Sequence, residues 1–420
     1  MKKAIIVCFT FPPFPGIGGR RWAKFAKYLY RNKIDIQVIA AQKKHKPNSV
    51  WNEDIHLFRD KITYVPTGYP NILTTVPTGF LQRWQYRFSL LWVKRKCTNG
   101  NYFDHSAFWG NAVKNEVEKK IQRGYSNVIL SCGPFRYTQE VLELKNQYPH
   151  VKFILDFRDP WSNNKTSFGF QTIDEMRRMD EIEYERNAIQ KADNIISVSE
   201  EMNQWFRQIS GKSETNFITI GNGFDRDDFE NSGQDESKSP DRKKWRFVLT
   251  GTLYHKAEYV YREFINALSE IYIENPEWKS KTEFHFYGEV PGYFFDLPEN
   301  CNENIHFGGK LDLHQVYEKI GGSDVCMLFL TDDLVYSRST KFYEYLAMGK
   351  PIAVFSTEGD TGKFAVTKRL GFMCRPSHMK ADILYMLDQM ESEAFHFNRY
   401  FEIQEYDVAT LTEKIIECLQ

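Results

Sequence analysis

The chain carries no excess of either charge: Lys and Arg together number 55, Asp and Glu 55, over 420 residues. A global basic field is therefore absent, which excludes a dedicated nucleic-acid binder and makes any anion recognition local. The seven cysteines stand at 8, 97, 132, 301, 326, 374 and 418 with no close pair. That scatter argues against a zinc site and a disulfide framework, and suits a reducing cytosol. No run of eighteen apolar residues occurs, and the opening stretch Ala4 to Phe9 is too short for a signal peptide or a membrane span. No repeat of solenoid period is visible. An Asp-x-Asp metal motif at a strand end is also missing, since Asp225-Arg226-Asp227 follows an Asn-Gly turn, and no metal is expected.

Aromatic residues make up 15% of the chain. They suit apolar cores and ring-stacking sites but select no function. The length exceeds one ordinary core and predicts two domains. Residues 1–230 read as strands alternating with helices, the pattern of a parallel sheet, with strands at 4–9, 34–41, 127–132, 152–156 and 194–198. The polar stretch 231–244 has the composition of a linker. Alternation restarts over 245–404, and 405–420 ends in an amphipathic helix with Leu411, Ile415, Ile416 and Leu419. Two such α/β lobes imply sheets facing across a cleft, with ligands at the carboxyl ends of the strands.

One segment concentrates chemistry. Ser339-Thr340-Lys341-Phe342-Tyr343-Glu344-Tyr345-Leu346-Ala347-Met348-Gly349-Lys350-Pro351 reads as a short helix with Ser or Thr as its cap. Its first-turn N–H groups and dipole favour a phosphate, and Glu344, one turn on, can accept two ribose hydroxyls. The competing expectation is a surface helix that buries Phe342, Tyr345 and Leu346 and leaves Glu344 in solvent.

Other strand ends supply companions. The loop Thr10 to Arg21 holds Gly16, Gly18 and Gly19, which let a backbone approach a ligand, and ends on Arg20 and Arg21. A dehydrogenase fingerprint fails there, since Gly16-x-Gly18 is followed by Arg21 where a glycine is required; a purely structural turn is the other reading. Gly251 to Lys256 places a glycine after a strand and a lysine before a helix, where Lys256 can neutralise a diphosphate. Asp156-Phe157-Arg158-Asp159-Pro160-Trp161 brings three charges to a strand end; Asp156 or Asp159 can orient an acceptor hydroxyl, or the acids can pair with Arg158. Residues 80–96, if helical, present Phe80, Trp84, Phe88 and Leu91 as an apolar stripe beside Arg83, Arg87 and Lys94-Arg95-Lys96. Two arrangements fit: peripheral contact with an anionic membrane, or an inward-packed helix with a basic solvent face.

Taken in order, the loop at 12–19, Ser197-Val-Ser199-Glu200, Ile220-Gly-Asn222-Gly223-Phe-Asp225, Gly251 to Lys256 and the helix of Glu344 resemble the retaining glycosyltransferases of family four, which have the two-lobed GT-B architecture of Rossmann-like domains. The segment 156–161 is similar to one in bacterial members that build surface polysaccharides. The resemblance implies that Gly18 and Gly19 approach the donor phosphates or the reacting sugar. It implies that Lys256, Ser339, Thr340 and Lys341 hold the diphosphate, that Glu344 takes the ribose, and that Gly309, Lys310 and Leu311 lie along the nucleobase. The catalytic set is then Lys256, Asp159 and Gly19, with Asp156, Arg158 and Asp159 on the acceptor side. The terminal helix is expected back on the first domain. Two departures stand out: Tyr336 occupies the place of the family's sugar-contacting Glu, with Asp332 and Asp333 as nearby substitutes, and no His-Asp pair ends the strand before Asp156.

The expected protein is a cytoplasmic enzyme, at the inner face of the membrane if residues 80–96 dock there. It moves a sugar from a UDP- or GDP-sugar to a glycan or lipid-linked glycan with retention, without a cofactor. Lobe closure about 231–244 is expected to exclude water. A sugar-nucleotide epimerase of the same fold and a non-catalytic nucleotide-binding scaffold are the alternatives.

Overall fold

The computed structural model describes residues 1–14, 17–43, 49–164, 170, 172–211, 216–229, 244–331, 337–357 and 359–420. Pro15, Gly16, nearly all of the expected linker, and Asp332, Asp333 and Tyr336 lie outside the described residues. The chain forms two compact units, Met1–Gly221 with Val408–Gln420, and Asn222–Asp407. Residues 222–229 therefore belong to the second unit, a correction to the expected boundary. The physical reason is a backbone tie: Phe224 N–H donates to the Tyr406 carbonyl (3.1 Å) and Phe224 bridges to Asp407.

The first unit runs β1 (Lys3–Cys8), α1 (Arg20–Arg31), β2 (Asp35–Gln42), β3 (Ile62–Pro66), α2 (Phe80–Lys96), α3 (Gly110–Ile121), β4 (Asn127–Cys132), α4 (Tyr137–Leu142), α5 (Leu144–Gln147), β5 (Lys152–Phe157), α6 (Glu175–Lys191), β6 (Asn194–Ser197), α7 (Glu200–Ser210) and β7 (Asn216–Thr219). Its parallel sheet has the order β3-β2-β1-β4-β5-β6-β7. The near-continuous apolar strands, such as Ala4-Ile5-Ile6-Val7, are buried because helices cover both faces.

The second unit runs β8 (Trp245–Thr250), α8 (Glu258–Glu274), α9 (Pro276–Lys281), β9 (Thr282–Tyr287), β10 (Ile305–Gly309), α10 (Leu313–Gly321), β11 (Val325–Phe329), α11 (Thr340–Ala347), β12 (Ile352–Phe355), α12 (Asp360–Thr367), β13 (Gly371–Cys374) and α13 (Met379–Glu391). Its sheet order is β10-β9-β8-β11-β12-β13. The last helix, α14 (Val408–Cys418), packs Leu411 and Ile415 into the core that α1 lines in the first unit. Lys2 secures it by donating to the Ile416 and Leu419 carbonyls (2.9 and 2.6 Å).

Both orders reverse direction once, between β1 and β4 and between β8 and β11. At such a switch point the loops after the two central strands diverge to opposite faces and leave a crevice for ligands. The topology thus singles out the loops after β1 and β4 in one unit, and those after β8 and β11 in the other.

Candidate functional site

In the second unit the switch point gathers a glycine-lined strand edge and the start of α11. Gly251, just past β8, has φ +122° and donates its N–H to the Tyr287 carbonyl (2.7 Å). Gly288, past β9, has φ +130°, and a Cβ there would lie 1.9 Å from the Gly251 carbonyl oxygen. Only glycine permits that approach. The Gly288 N–H in turn donates to the Gly309 carbonyl (2.7 Å), so three successive strand ends are hydrogen-bonded in series.

Helix α11 is fixed against this edge. The Thr250 N–H donates to the Tyr345 hydroxyl (3.0 Å), whose ring is fully buried. Burial pushes the Tyr345 phenol well above its usual range, so it stays a neutral clamp. Ser339 caps the helix, accepting from the Phe342 N–H (3.4 Å). The turn before it is held twice more: the Asn222 side-chain amide donates to the Arg338 carbonyl (3.0 Å), and the Arg338 guanidinium pairs with Asp360 and lies 3.8 Å from the Phe364 ring centre. Arg338 was not singled out from sequence. The next residue, Ser339, caps α11 and is the local signal in the sequence that this turn opens a helix.

Glu344 is 2% exposed, together with buried Phe342, Tyr345 and Leu346. The solvent-facing Glu344 of the surface-helix expectation is thereby corrected. The Lys341 ammonium lies 2.9 Å from Glu344 Oε2, and a Cβ on Gly251 would lie 3.9 Å from Lys341 Cε. A buried carboxylate, a lysine beside it and the first turn at Thr340 thus share one glycine-edged corner. Such a corner can take a phosphate at the helix start and sugar hydroxyls at the carboxylate.

Lys256 is exposed on the turn His255–Ala257 that follows Gly251. Gly309 ends β10 with φ +69°, Lys310 is ion-paired at the surface with Glu289 (2.5 Å), and Leu311 is half-buried. Gly308 is also constrained, since a Cβ would lie 2.3 Å from Tyr287 Cε1. Within this unit Glu283, His285 and His306 have ligand-capable atoms within 4.8 Å of one another. Arg246 Nε already donates to Glu283 Oε1 (2.6 Å), which opposes a second cation there.

In the first unit the switch point is built around Arg158. Its Nη2 donates to the Gly133 carbonyl past β4 (3.2 Å), and a Cβ on Gly18 would lie 3.2 Å from both terminal nitrogens. Gly18 thus lets the guanidinium lie against the loop after β1. Gly19 is enclosed: its Cβ would meet Phe11 Cα at 3.2 Å and Pro12 Cδ at 3.3 Å. Arg158 and Asp159 are half-buried at the carboxyl edge of β5.

Asp156 is corrected. It is fully buried and accepts from Arg21 Nη2 (2.9 Å), Arg21 Nε (3.0 Å) and Trp22 Nε1 (2.7 Å). Arg21 also donates to the Ile220 and Gly221 carbonyls. These groups are committed to joining α1, β5 and the end of the unit, so Asp156 is unavailable to an acceptor and Arg21 to a diphosphate. Behind the same loop, Trp161 Nε1 donates to Glu181 Oε2 (2.6 Å) and Ser162 to Glu185. Burial raises the Glu181 carboxyl and pushes that of Glu185 up to about 7.

No family model matches the sequence, and no curated protein matches it. Solved structures do match in shape. A sucrose-phosphate synthase from Thermosynechococcus elongatus superposes with a TM-score of 0.64 at 11% identity, over 99% of this chain and 98% of that one. The chain has the GT-B fold. A glycosyltransferase from Rickettsia africae is a second GT-B neighbour, with a TM-score of 0.60, 13% identity and coverage of 99% and 97%. A UDP-N-acetylglucosamine 2-epimerase also aligns, at 0.52 and 13%, over 99% and 95%. At these identities the likeness concerns the GT-B fold and no particular reaction.

Proposed function

We propose that the protein is a glycosyltransferase that moves a sugar from a nucleotide diphosphate donor to a hydroxyl of a glycan or lipid-linked glycan, with retention, in the assembly of a surface polysaccharide at the inner face of a membrane. The observation that carries the reading is the buried Glu344 carboxylate, one turn inside a helix whose start stands at the switch point of the second sheet. Burial of a charge is costly, and a surface helix has no use for it.

On this reading Glu344 accepts the two ribose hydroxyls. The first-turn N–H groups of Thr340 and Lys341, the Ser339 cap, the Lys341 ammonium and Lys256 face the diphosphate. Gly251 leaves room for the phosphates, and Gly309, Lys310 and Leu311 border the UDP or GDP base. Cleavage of the sugar C–O bond puts negative charge on the departing diphosphate and leaves an oxocarbenium-like sugar. Preorganised positive potential at the leaving group is then the main catalytic term, and no metal is required for it. Gly18 and Gly19 fold the loop after β1 closely against Arg158, Phe11 and Pro12, and on this reading the backbone of the two glycines approaches the donor phosphates or the reacting sugar. Asp159 orients the acceptor hydroxyl, with Arg158 beside it.

The test is incubation of purified protein with UDP- and GDP-sugars, with and without a lipid-linked glycan acceptor. Acceptor-dependent release of nucleoside diphosphate supports the reading. The epimerase among the structural neighbours motivates a second one: a new sugar-nucleotide isomer formed without acceptor would establish it. Nucleotide binding with no turnover under any condition would instead identify a scaffold.

A further inference from the structure

Helix α2 has two opposed apolar faces, and only one of them is covered. Tyr86, Leu90 and Val93 seat the helix on a small cluster with Tyr69, Leu73 and Tyr102. Val93 alone among its 17 residues is fully buried. Phe80, Leu81, Trp84, Phe88, Leu91 and Trp92 are exposed by 75, 76, 47, 63, 64 and 45%. At about 100° per residue these six fall within an arc of about 120°, centred nearly opposite the seated face. The rings run along the helix: Phe80 and Trp84 lie 6.1 Å apart, Trp84 and Phe88 are stacked at 5.7 Å. The inward-packed arrangement allowed by the sequence is therefore corrected, because the broader apolar stripe faces outward.

The charge around the stripe selects the occupant. Residues 80–96 contain Arg83, Arg87, Lys94, Arg95 and Lys96 and no acidic residue. Arg83, Arg87 and Lys94 lie on one flank of the stripe, and Arg95 and Lys96 extend the charge across the carboxyl end. A second copy of this helix would set cation against cation. A bilayer of anionic lipid accepts the rings at the level of its headgroups and the arginines at its phosphates. No helix among the described residues is long and apolar enough to cross a membrane, so contact here is in the plane of the surface.

We infer that α2 is a membrane-docking helix that holds the first unit on an anionic lipid surface through its outward aromatic stripe and flanking basic side chains. This deepens the membrane location given in the proposed function but does not depend on glycosyl transfer, so a failure of vesicle binding leaves the donor-site reading standing. The test is flotation of the full chain with vesicles of phosphatidylcholine alone or mixed with phosphatidylglycerol, followed by Trp emission. Binding to the mixed vesicles is expected to exceed binding to the neutral ones by more than about tenfold, to weaken with added salt and to shift emission to the blue.

Two variants separate the parts. Trp84→Ser with Phe88→Ser is expected to abolish binding without moving the unfolding midpoint, since both side chains are exposed. Arg83→Gln with Arg87→Gln is expected to remove the preference for anionic lipid. Absence of binding by the unaltered chain, binding undiminished in either pair, or a dimer through this helix that ignores vesicles would overturn the inference.

Discussion

The Lys341 ammonium lies 2.9 Å from the Glu344 carboxylate, three residues along the same helix, with Glu344 buried and Lys341 partly open to solvent. The pair offsets the desolvation of Glu344 while leaving a cation at the mouth of the corner. Replacing Lys341 by Met is therefore expected to weaken nucleoside diphosphate binding about tenfold or more and to lower thermal stability, because the buried carboxylate loses this ion pair. Calorimetric titration and thermal unfolding check both parts.

Tyr345 reaches back 95 residues to Thr250 and clamps α11 to β8. Tyr345→Phe leaves the Thr250 N–H buried without that acceptor, at a cost of about 1–3 kcal/mol in denaturant unfolding. Donor binding should weaken with it, as the helix start is released from the glycine edge. Unchanged stability would show that the clamp contributes nothing.

Asp156 and Asp159 stand three residues apart and are expected to behave differently. Asp156→Ala breaks a buried pair with Arg21 and is predicted to destabilise by about 3–5 kcal/mol, visible in the melting temperature. Asp159→Asn, at a half-buried position, is predicted to lower the melting temperature by less than Asp156→Ala does and to lower turnover.

The Glu185 carboxyl, with a folded value of about 7 against an ordinary 4.5, makes stability fall as pH rises. The folded chain holds the proton that the unfolded chain releases, so the penalty begins above the unfolded value and is complete above the folded one. Its full size is about 3 kcal/mol. Comparing melting temperatures at pH 5 and pH 8, Glu185→Gln is expected to shrink the difference shown by the unaltered chain.

Much of the fold was legible in the sequence because the central strands are apolar and their helices amphipathic. β3, β7 and β13 were not expected; each is a strand of four or five residues that stands at an edge of its sheet among the described residues and is too short to show a period. The helix of Glu344 was legible from its cap and its Gly349 stop. Its burial was not, because it depends on Thr250 and Tyr345 meeting across the chain. The role of Asp156 was hidden for the same reason, as its partner Arg21 is 135 residues away. Residues 80–96 showed their stripe in the sequence, but which face would be covered depended on Tyr69, Leu73 and Tyr102, outside the helix.

The most direct test of the account is titration of UDP and GDP, and of sugars carried by them, into the unaltered chain and into Glu344→Gln. The account predicts that at least one nucleotide binds the unaltered chain, and that the variant keeps its fold while its Kd rises about tenfold to hundredfold, the loss of hydrogen bonds to a charged group. Equal affinity for the two proteins, or no binding by the unaltered chain, would contradict it.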